Sequence, residues 1–192
     1  MNRRALLTAA AFAMFAGTGP ACAQEQAPPA VNYSPMRWHD LAPGGWDVRT
    51  IYSKFELTSL WDLPEDDPHL RRVMHDLAAA LDEAPSDREL DGRPVKLHGF
   101  AIVLKGTSDA VREFLLVPWQ VACAHTPPPA ANQRVRVIAA QPLRGLDPNR
   151  AIYVWGRLAA RTSTTSAGKA GYTLAFERLE PYDWQTTRRA DW

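Results

Sequence analysis

From Leu90 onward, apolar and polar residues alternate, and this period of two constrains the fold more than any other feature of the 192-residue sequence. Such alternation over short segments is typical of half-buried β-strands. The segments lie at 95–104, 111–119, 134–140, 151–161 and 172–182. Gly99 and Gly156 lie inside the first and fourth segments, where glycine favours a bend. The pattern predicts a small five-stranded OB-like barrel at about 94–182.

The residues before the strands have the period of an amphipathic helix. One predicted helix face is apolar at the spacing i, i+3, i+4, i+7 and i+11: Leu70, Val73, Met74, Leu77 and Leu81. Asp67 is suited to cap this helix and Pro68 to begin it, and Pro85 ends it. We therefore predict a helix at about 68–83 and a mainly β fold with an N-terminal helix.

The segment from residue 37 to the helix contains many Trp, Pro and Gly residues and has no long period. It predicts an irregular wrap with a short helical turn near residues 59–63. Trp38, Trp46 and Trp61 are expected to be packing anchors of this wrap. The Ser-, Thr- and Gly-rich segment at 162–171 is expected to be a flexible loop.

The first 23 residues have the parts of an export signal. Arg3 and Arg4 precede a small-residue apolar run at 5–16 that is too short to span a bilayer, and Ala21-Cys22-Ala23 fits a signal peptidase site. Cleavage before Gln24 predicts a soluble periplasmic protein, exported by the general or the twin-arginine route. A lipoprotein on Cys22 is the second interpretation. Residues 24–36 are predicted to be a flexible tether to one globular domain at 37–192, with no transmembrane segment.

Cleavage of this signal changes both the charge and the cysteine content. The full chain has 22 Lys and Arg against 21 Asp and Glu, a net charge of +1. The signal contains two Arg and no acid, so the mature net charge is about −1, and we expect no nucleic-acid partner. The mature chain keeps Cys123 and loses Cys22. An unpaired cysteine in an oxidising compartment indicates a metal site, a reactive thiol, a disulfide to a partner, or plain burial.

Cys123 and His125 lie two residues apart, just ahead of a run of three prolines. In extended backbone, residues i and i+2 face the same way, about 6–7 Å apart. A thiolate and an imidazole at this spacing can share a zinc or copper ion, with bonds of about 2.0–2.3 Å. The same geometry also lets His125 take the Cys123 proton and create a nucleophile. The prolines predict a stiff arm that carries the two residues.

Two ligands do not complete a metal site, because zinc uses three or four protein ligands. His98 on the first strand and His39 in the wrap are further candidates, together with scattered acids. We interpret the acids at 65–67 as residues favoured at a helix N-terminus rather than as a calcium site. The sequence has no HExxH, CxxC, GxSxG, phosphate-binding or dinucleotide-binding motif. No catalytic residue is predicted, and a protein that is not an enzyme is favoured.

Several segments together resemble an uncharacterised bacterial family, a domain of unknown function that occurs in secreted proteins and lipoproteins. The segments are WDLPEDDP, ELDGRPVKLHGFAIVL, EFLLVPWQVACAHTPPPAANQRVRV, VWGRL and GYTLAFERLEPY. The resemblance covers about residues 37–182, and the string from Glu113 to Val137 is its most specific part. Cys123, His125, the prolines, Asn132 and Gln133 match the family pattern. His98 stands where proline is common in the family, which disfavours it as a shared ligand.

The resemblance implies an envelope setting, in some cases beside ABC-transporter genes linked to zinc supply, and it implies no activity. Together with the residues, it predicts a periplasmic metal-binding accessory protein of envelope metal homeostasis or transport. Zinc is the expected cofactor, ahead of copper, and an envelope ABC-transporter component is the expected partner.

The alternative is a non-enzymatic OB-like adaptor for a transporter or another partner, in which Cys123 is structural. A cysteine enzyme is the third reading of the same residues. It lacks an evident third member of a catalytic triad.

Overall fold

The computed structural model describes residues 31–107 and 109–183, so the predicted signal peptide lies outside the described residues. Short elements and one long helix precede the barrel. In chain order they are β1 (Ser34–Pro35), a 3₁₀ helix (Trp38–Leu41), α1 (Arg49–Tyr52), a 3₁₀ helix (Leu57–Leu60), α2 (Pro68–Asp82) and a 3₁₀ helix (Arg88–Leu90). No described helix is long and apolar enough to cross a membrane.

The long helix α2 begins and ends close to the predicted positions. The Asp67 carboxylate accepts hydrogen bonds from the backbone N–H groups of His69 and Leu70, at 2.7 and 3.2 Å. Pro68 occupies the first helical position, where its missing N–H costs no hydrogen bond. Leu77 and Leu81 are fully buried on the helix face that points inward. Capping and periodicity therefore define this helix as the sequence predicted.

The barrel strands follow α2, with a short hairpin before the last strand. The elements are β2 (Pro94–Lys105), β3 (Val111–Val117), a 3₁₀ helix (Ala131–Gln133), β4 (Val135–Leu143), β5 (Ile152–Ala159), β6 (Ser163–Thr165), β7 (Gly168–Ala170) and β8 (Tyr172–Pro181). The strand order is β2-β3-β4-β8-β5, and β5 pairs back onto β2. Only the β4–β8 pairing within this ring is parallel. The predicted mainly β fold, a closed five-stranded OB-like barrel, is confirmed.

Glycines occur where two barrel strands approach most closely. A Cβ at Gly99 would lie 2.4 Å from the Val117 carbonyl oxygen. A Cβ at Gly156 would lie 2.2 Å from the Ala175 carbonyl oxygen, beside a register shift between β5 and β8. Both distances are shorter than any van der Waals contact, so a larger residue would force the strands apart. The two glycines inside the predicted strands thus mark tight points of the barrel.

Three clusters of buried residues stabilise the fold, and the smallest contains Leu115, Val117 and Ala170. Apolar side chains from all five barrel strands fill the interior, among them Leu97, Phe114, Val137, Val154 and Leu174. The second cluster lies outside the barrel, where Leu77 and Leu81 of α2 pack against Ala130 and Ala131. The wrap covers this second cluster with the partly buried side chains of Trp46, Tyr52 and Phe55. The wrap and α2 therefore share a small core with the segment between β3 and β4.

The structure differs from the sequence prediction in the wrap and just before it. Trp38 is buried as expected, and its indole N–H donates to the His98 carbonyl at 2.9 Å. Trp61 was predicted to be a packing anchor, but its residue surface is 64% exposed, so that prediction was wrong. At the end of the predicted tether, Ser34 and Pro35 form β1 and pair with β2.

The predicted flexible loop at 162–171 is instead the hairpin β6–β7. Arg134, which is 2% exposed, donates to the Asp82 carboxylate at 2.5 Å and to the Lys169 carbonyl at 3.0 Å. The Lys169 backbone N–H donates to the other Asp82 oxygen at 3.2 Å. This buried ion pair ties the hairpin to α2, a long-range contact that the polar composition of the segment does not reveal.

Candidate metal centre

Residues 118–134 connect β3 to β4, and we call them the Cys123 arm. The Trp119 indole N–H donates to the Pro127 carbonyl at 3.2 Å, which closes the arm on itself. Ala130 and Ala131 are buried against α2, and the Asn132 amide donates to the Pro85 carbonyl at 3.1 Å. The arm is therefore held at its base by the second core. Cys123 and His125 lie between these anchored parts.

Three potential ligand atoms converge at the Cys123 arm. One ligand atom each from Glu65, Cys123 and His125 lies within 4.8 Å of the other two. In the part of the chain that the structure describes, residues 31–107 and 109–183, no other set of three or more His, Cys, Asp or Glu side chains is close enough to hold one ion. Ligands of a tetrahedral zinc lie about 3.5 Å apart, given bonds of about 2.0–2.3 Å. Small side-chain rotations would thus bring the three groups onto a common ion.

His125 is oriented by the turn that precedes α2. Its Nε2 lies 2.8 Å from the Leu63 carbonyl oxygen. A carbonyl oxygen only accepts, so Nε2 carries a proton, and in the neutral imidazole Nδ1 is the nitrogen with the lone pair. The Trp61 indole stacks on the imidazole, with ring centroids 6.3 Å apart and planes 11° apart. Metal-binding histidines commonly donate their second ring N–H to a carbonyl in this manner, which fixes the tautomer and the ring orientation.

Cys123 lies in surroundings that favour its thiolate. Its Sγ is 3.1 Å from the Thr126 hydroxyl oxygen, and the Thr126 N–H donates to the Cys123 carbonyl at 3.1 Å. The Thr126 hydroxyl, followed by the backbone N–H of His125, lowers the pKa of the Cys123 thiol below its ordinary value. The thiolate is the form that binds metals and that acts as a nucleophile. The local turn therefore prepares the sulfur for either chemistry.

Glu65 is the third member of the group and comes from a different segment of the chain. It is exposed and lies in the turn between Pro64 and Asp67, where the Asp67 N–H donates to the Pro64 carbonyl at 3.0 Å. The same turn contains Leu63, which accepts from His125. Sequence reasoning assigned Glu65 to the helix N-terminus alone and missed its position beside Cys123. No local pattern signals this contact, because the fold brings together two segments that are distant in the chain.

The other two histidine candidates lie elsewhere. His98 is 2% exposed on β2, and its ring contacts Tyr153 and Tyr182 at centroid distances of 5.8 and 5.1 Å. The exposed His39 has its Nε2 2.9 Å from an Asp40 carboxylate oxygen. Neither histidine joins the group formed by Glu65, Cys123 and His125. Of the four predicted ligands, the structure thus brings together Cys123 and His125, and it places Glu65 beside them.

These observations define the class of the protein: an OB-like barrel with a cluster of one glutamate, one cysteine and one histidine side chain next to its N-terminal helix. The model of the family described as Protein of unknown function (DUF3299) matches residues 38–181. The chain therefore belongs to the DUF3299 family, which confirms the resemblance to a domain of unknown function.

A solved relative supports the family assignment. The chain is similar to the crystal structure, at 2.45 Å, of a DUF3299 family protein from Pseudomonas aeruginosa PAO1, with 25% sequence identity and a TM-score of 0.60. The similarity covers 80% of this chain and 98% of that chain. No curated protein matches the sequence. The family and its solved member thus give the fold, and the function has to be argued from the site.

Proposed function

We propose that this protein binds a zinc ion through Glu65, Cys123 and His125, and that it serves as an accessory protein of metal handling in the bacterial envelope. One observation carries the proposal: the ligand atoms of these three residues lie within 4.8 Å of one another, although Glu65 is far along the chain from Cys123 and His125. The hydrogen bond from His125 to the Leu63 carbonyl and the lowered pKa of Cys123 both favour the ligand forms of these side chains.

The chemistry of the donors favours zinc over copper. Zinc accepts thiolate, imidazole and carboxylate ligands together, and all three types are present. Cuprous ions prefer sets of soft sulfur ligands, whereas a carboxylate is a hard donor. Calcium and magnesium prefer oxygen ligands, which a thiolate and an imidazole do not supply. A mixed site with one sulfur, one nitrogen and one oxygen ligand therefore suits zinc best.

The position of the group suggests an accessory role. Structural zinc sites have four protein ligands, and this group supplies three. A fourth position would be open to water or to a ligand from a partner, and Glu65 is exposed at the surface. Such a site can exchange its ion. An envelope ABC-transporter component is the partner that we propose, and the predicted export signal supports a periplasmic location.

The test is to express the mature chain from Gln24, load it with zinc, desalt it, and measure bound metal by elemental analysis. We expect equimolar zinc in the wild type and its loss in Cys123→Ser and His125→Ala. Glu65→Gln should weaken zinc retention, because it removes the charge and keeps the shape. Asp66→Asn is the matched control, since Asp66 is an exposed neighbouring acid outside the ligand group, and it should retain zinc.

Acid provides an independent check. Metal ligands bind in their deprotonated forms, so zinc affinity should fall as the pH is lowered. If folded wild-type protein retains neither zinc nor copper, and native Cys123 does not react with an alkylating reagent, the metal proposal is wrong. The non-enzymatic adaptor with a structural cysteine would then account for the arm around Cys123 without a metal.

A further inference from the structure

A second cavity lies on the outer face of the barrel, apart from the candidate metal centre. We call it the Lys96 pocket, and its volume is about 520 Å³. Small-molecule sites commonly have volumes of about 300–1,000 Å³. The pocket is lined by Pro35, Met36, Arg37, Asp40, Lys96, His98 and Tyr153. Val95 and Leu97 alternate with the lining residues of β2 and fill the barrel core, so the pocket side of this strand faces outward.

One wall of the Lys96 pocket is aromatic. Pairing between β2 and β5 sets Lys96 opposite Trp155 and His98 opposite Tyr153. The Tyr153 ring also lies 5.7 Å from Trp155, centroid to centroid, and the planes are tilted by 56°. Trp155 and His98 are buried, with 5% and 2% of their residue surfaces exposed. The His98 and Tyr153 rings therefore line a wall whose position is fixed by two paired strands, and Trp155 contacts Tyr153 without lining the pocket.

The pocket has a positive charge that no acid of its lining balances. The Lys96 ammonium lies 3.8 Å from the centroid of the Tyr153 ring and 4.9 Å from that of Trp155. Within residues 31–107 and 109–183, the ion pairs do not include Lys96. Cation–π contacts hold an ammonium in place and leave its N–H groups able to bind an acceptor.

Asp40, the acid of the lining, is already neutralised. Its carboxylate accepts from Arg37 Nε and from the second Arg37 guanidinium nitrogen, each at 3.2 Å. His39 Nε2 lies 2.9 Å from the same carboxylate. The paired charges of Arg37 and Asp40 cancel, so Lys96 gives the pocket a surplus positive charge. A ligand that complements this pocket would be an anion.

We infer that the Lys96 pocket binds a small organic anion. A carboxylate or phosphate group of the ligand would accept hydrogen bonds from the Lys96 ammonium. Its apolar part would contact the Tyr153 ring and Met36, which is 9% exposed. The pocket is built from β1, β2 and β5 and uses none of the three proposed zinc ligands. Anion binding at the Lys96 pocket can therefore be tested independently of the proposed zinc site.

The experiment is calorimetric titration of the mature chain at physiological salt with succinate and, separately, with inorganic phosphate. We expect saturable binding of at least one of them, which would identify the preferred anionic group. Lys96→Met keeps the length of the side chain and removes its charge, so it should weaken binding about tenfold or more. Lys96→Arg keeps the charge and should retain most of the affinity.

Lys105→Met is the matched control, because Lys105 lies at the other end of β2 and pairs with Glu113 at 2.8 Å. It should bind the anion as the wild type does. Thermal unfolding of each variant would verify that it is folded. Absence of saturable binding for both anions up to tens of millimolar, or equal binding by wild type and Lys96→Met, would overturn the inference.

Discussion

The barrel and the Cys123 arm are stabilised by different means, although they are adjacent in the chain. Each barrel strand pairs with two other strands of the ring and contributes side chains to a core in which Phe114, Leu158 and Leu174 are fully buried. The arm has no strand pairing. It depends on a few side-chain hydrogen bonds, a proline run and the packing of Ala130 and Ala131 against α2.

Because of this difference, the residues that stabilise the fold are not the residues that carry the proposed chemistry. Substitutions in the barrel should lower the free energy of unfolding, because they remove many contacts at once. Substitutions near Cys123 should change the reactivity of the thiol and the zinc affinity that we propose for the arm, while the barrel stays folded. The scaffold and the candidate site can therefore be tested separately, and the following predictions are arranged by the size of the expected change in stability.

The largest expected effect is in the barrel core. Phe114→Ala removes a side chain that is 0% exposed, and it should lower the free energy of unfolding by about 3–5 kcal/mol. Urea unfolding followed by circular dichroism would measure this change. The folded fraction should keep the zinc affinity that we propose for the Cys123 arm. If the free energy of unfolding falls by less than about 1 kcal/mol, the barrel tolerates a large cavity. The proposed contrast between a barrel that depends on its core and an arm that does not would then be wrong.

An intermediate effect is expected at Tyr172, which joins the barrel to the wrap. Its hydroxyl donates to the Leu41 carbonyl at 2.5 Å and accepts from the Asp87 N–H at 2.6 Å. Tyr172→Phe removes both hydrogen bonds and should cost about 1–3 kcal/mol, since it leaves buried groups without partners. Urea unfolding at neutral pH would measure the cost.

The contribution of Tyr172 should also depend on pH. Burial raises the pKa of Tyr172 to about 12, compared with about 10 in the unfolded chain. The raised pKa means that the neutral phenol is favoured in the folded state. The contribution of Tyr172 to the free energy of unfolding is therefore fully present below pH 10 and is lost as the pH rises from 10 towards 12. The stability difference between wild type and Tyr172→Phe should narrow over that range, and a constant difference would contradict the burial of a neutral phenol.

The smallest change in stability, with a clear change in chemistry, is expected at Thr126. Thr126→Val removes the hydroxyl beside the Cys123 sulfur, so the pKa of Cys123 should rise towards its ordinary value. Alkylation of Cys123 at neutral pH should slow, because less thiolate is present. The free energy of unfolding should change by less than about 0.5 kcal/mol. The measurement is the pH profile of the alkylation rate.

Thr164→Val, on the exposed hairpin strand β6, is the control for the Thr126 experiment and should leave the profile unchanged. An unchanged profile in Thr126→Val would show that Thr126 does not set the reactivity of Cys123. A large loss of stability in that variant would show that the arm supports the fold, contrary to the contrast with the barrel.

The barrel could be predicted from the sequence because its signal is local. Alternation along a strand reports directly that one face is buried, and each of the five predicted strands occurs within a few residues of its expected position. Gly99 and Gly156 are also local signals, because a glycine within a strand pattern indicates a position where the backbone leaves no room for a side chain. The hairpin β6–β7 was missed because it depends on the distant ion pair of Arg134 and Asp82.

The candidate metal centre could be predicted only in part. The i, i+2 spacing of Cys123 and His125 is a local pattern, whereas the position of Glu65 depends on how the turn before α2 packs against the arm. For Glu65 the sequence did not reveal a contact, whereas for Trp61 it predicted burial that the structure does not have. Aromatic residues in an irregular segment are usually buried, but this one lies at the surface and stacks on His125. Tertiary contacts decided both outcomes.

The double pairing of β8 has a consequence for the order of folding. β8 pairs with both β4 and β5, and it is the last strand of the barrel along the chain. A growing chain that ends before Tyr172 leaves one edge of each of these strands open, and open edges promote aggregation. Closure requires contacts between distant segments, which form slowly. The nascent protein should therefore remain unfolded, and dependent on chaperones, until its final strand has been synthesised.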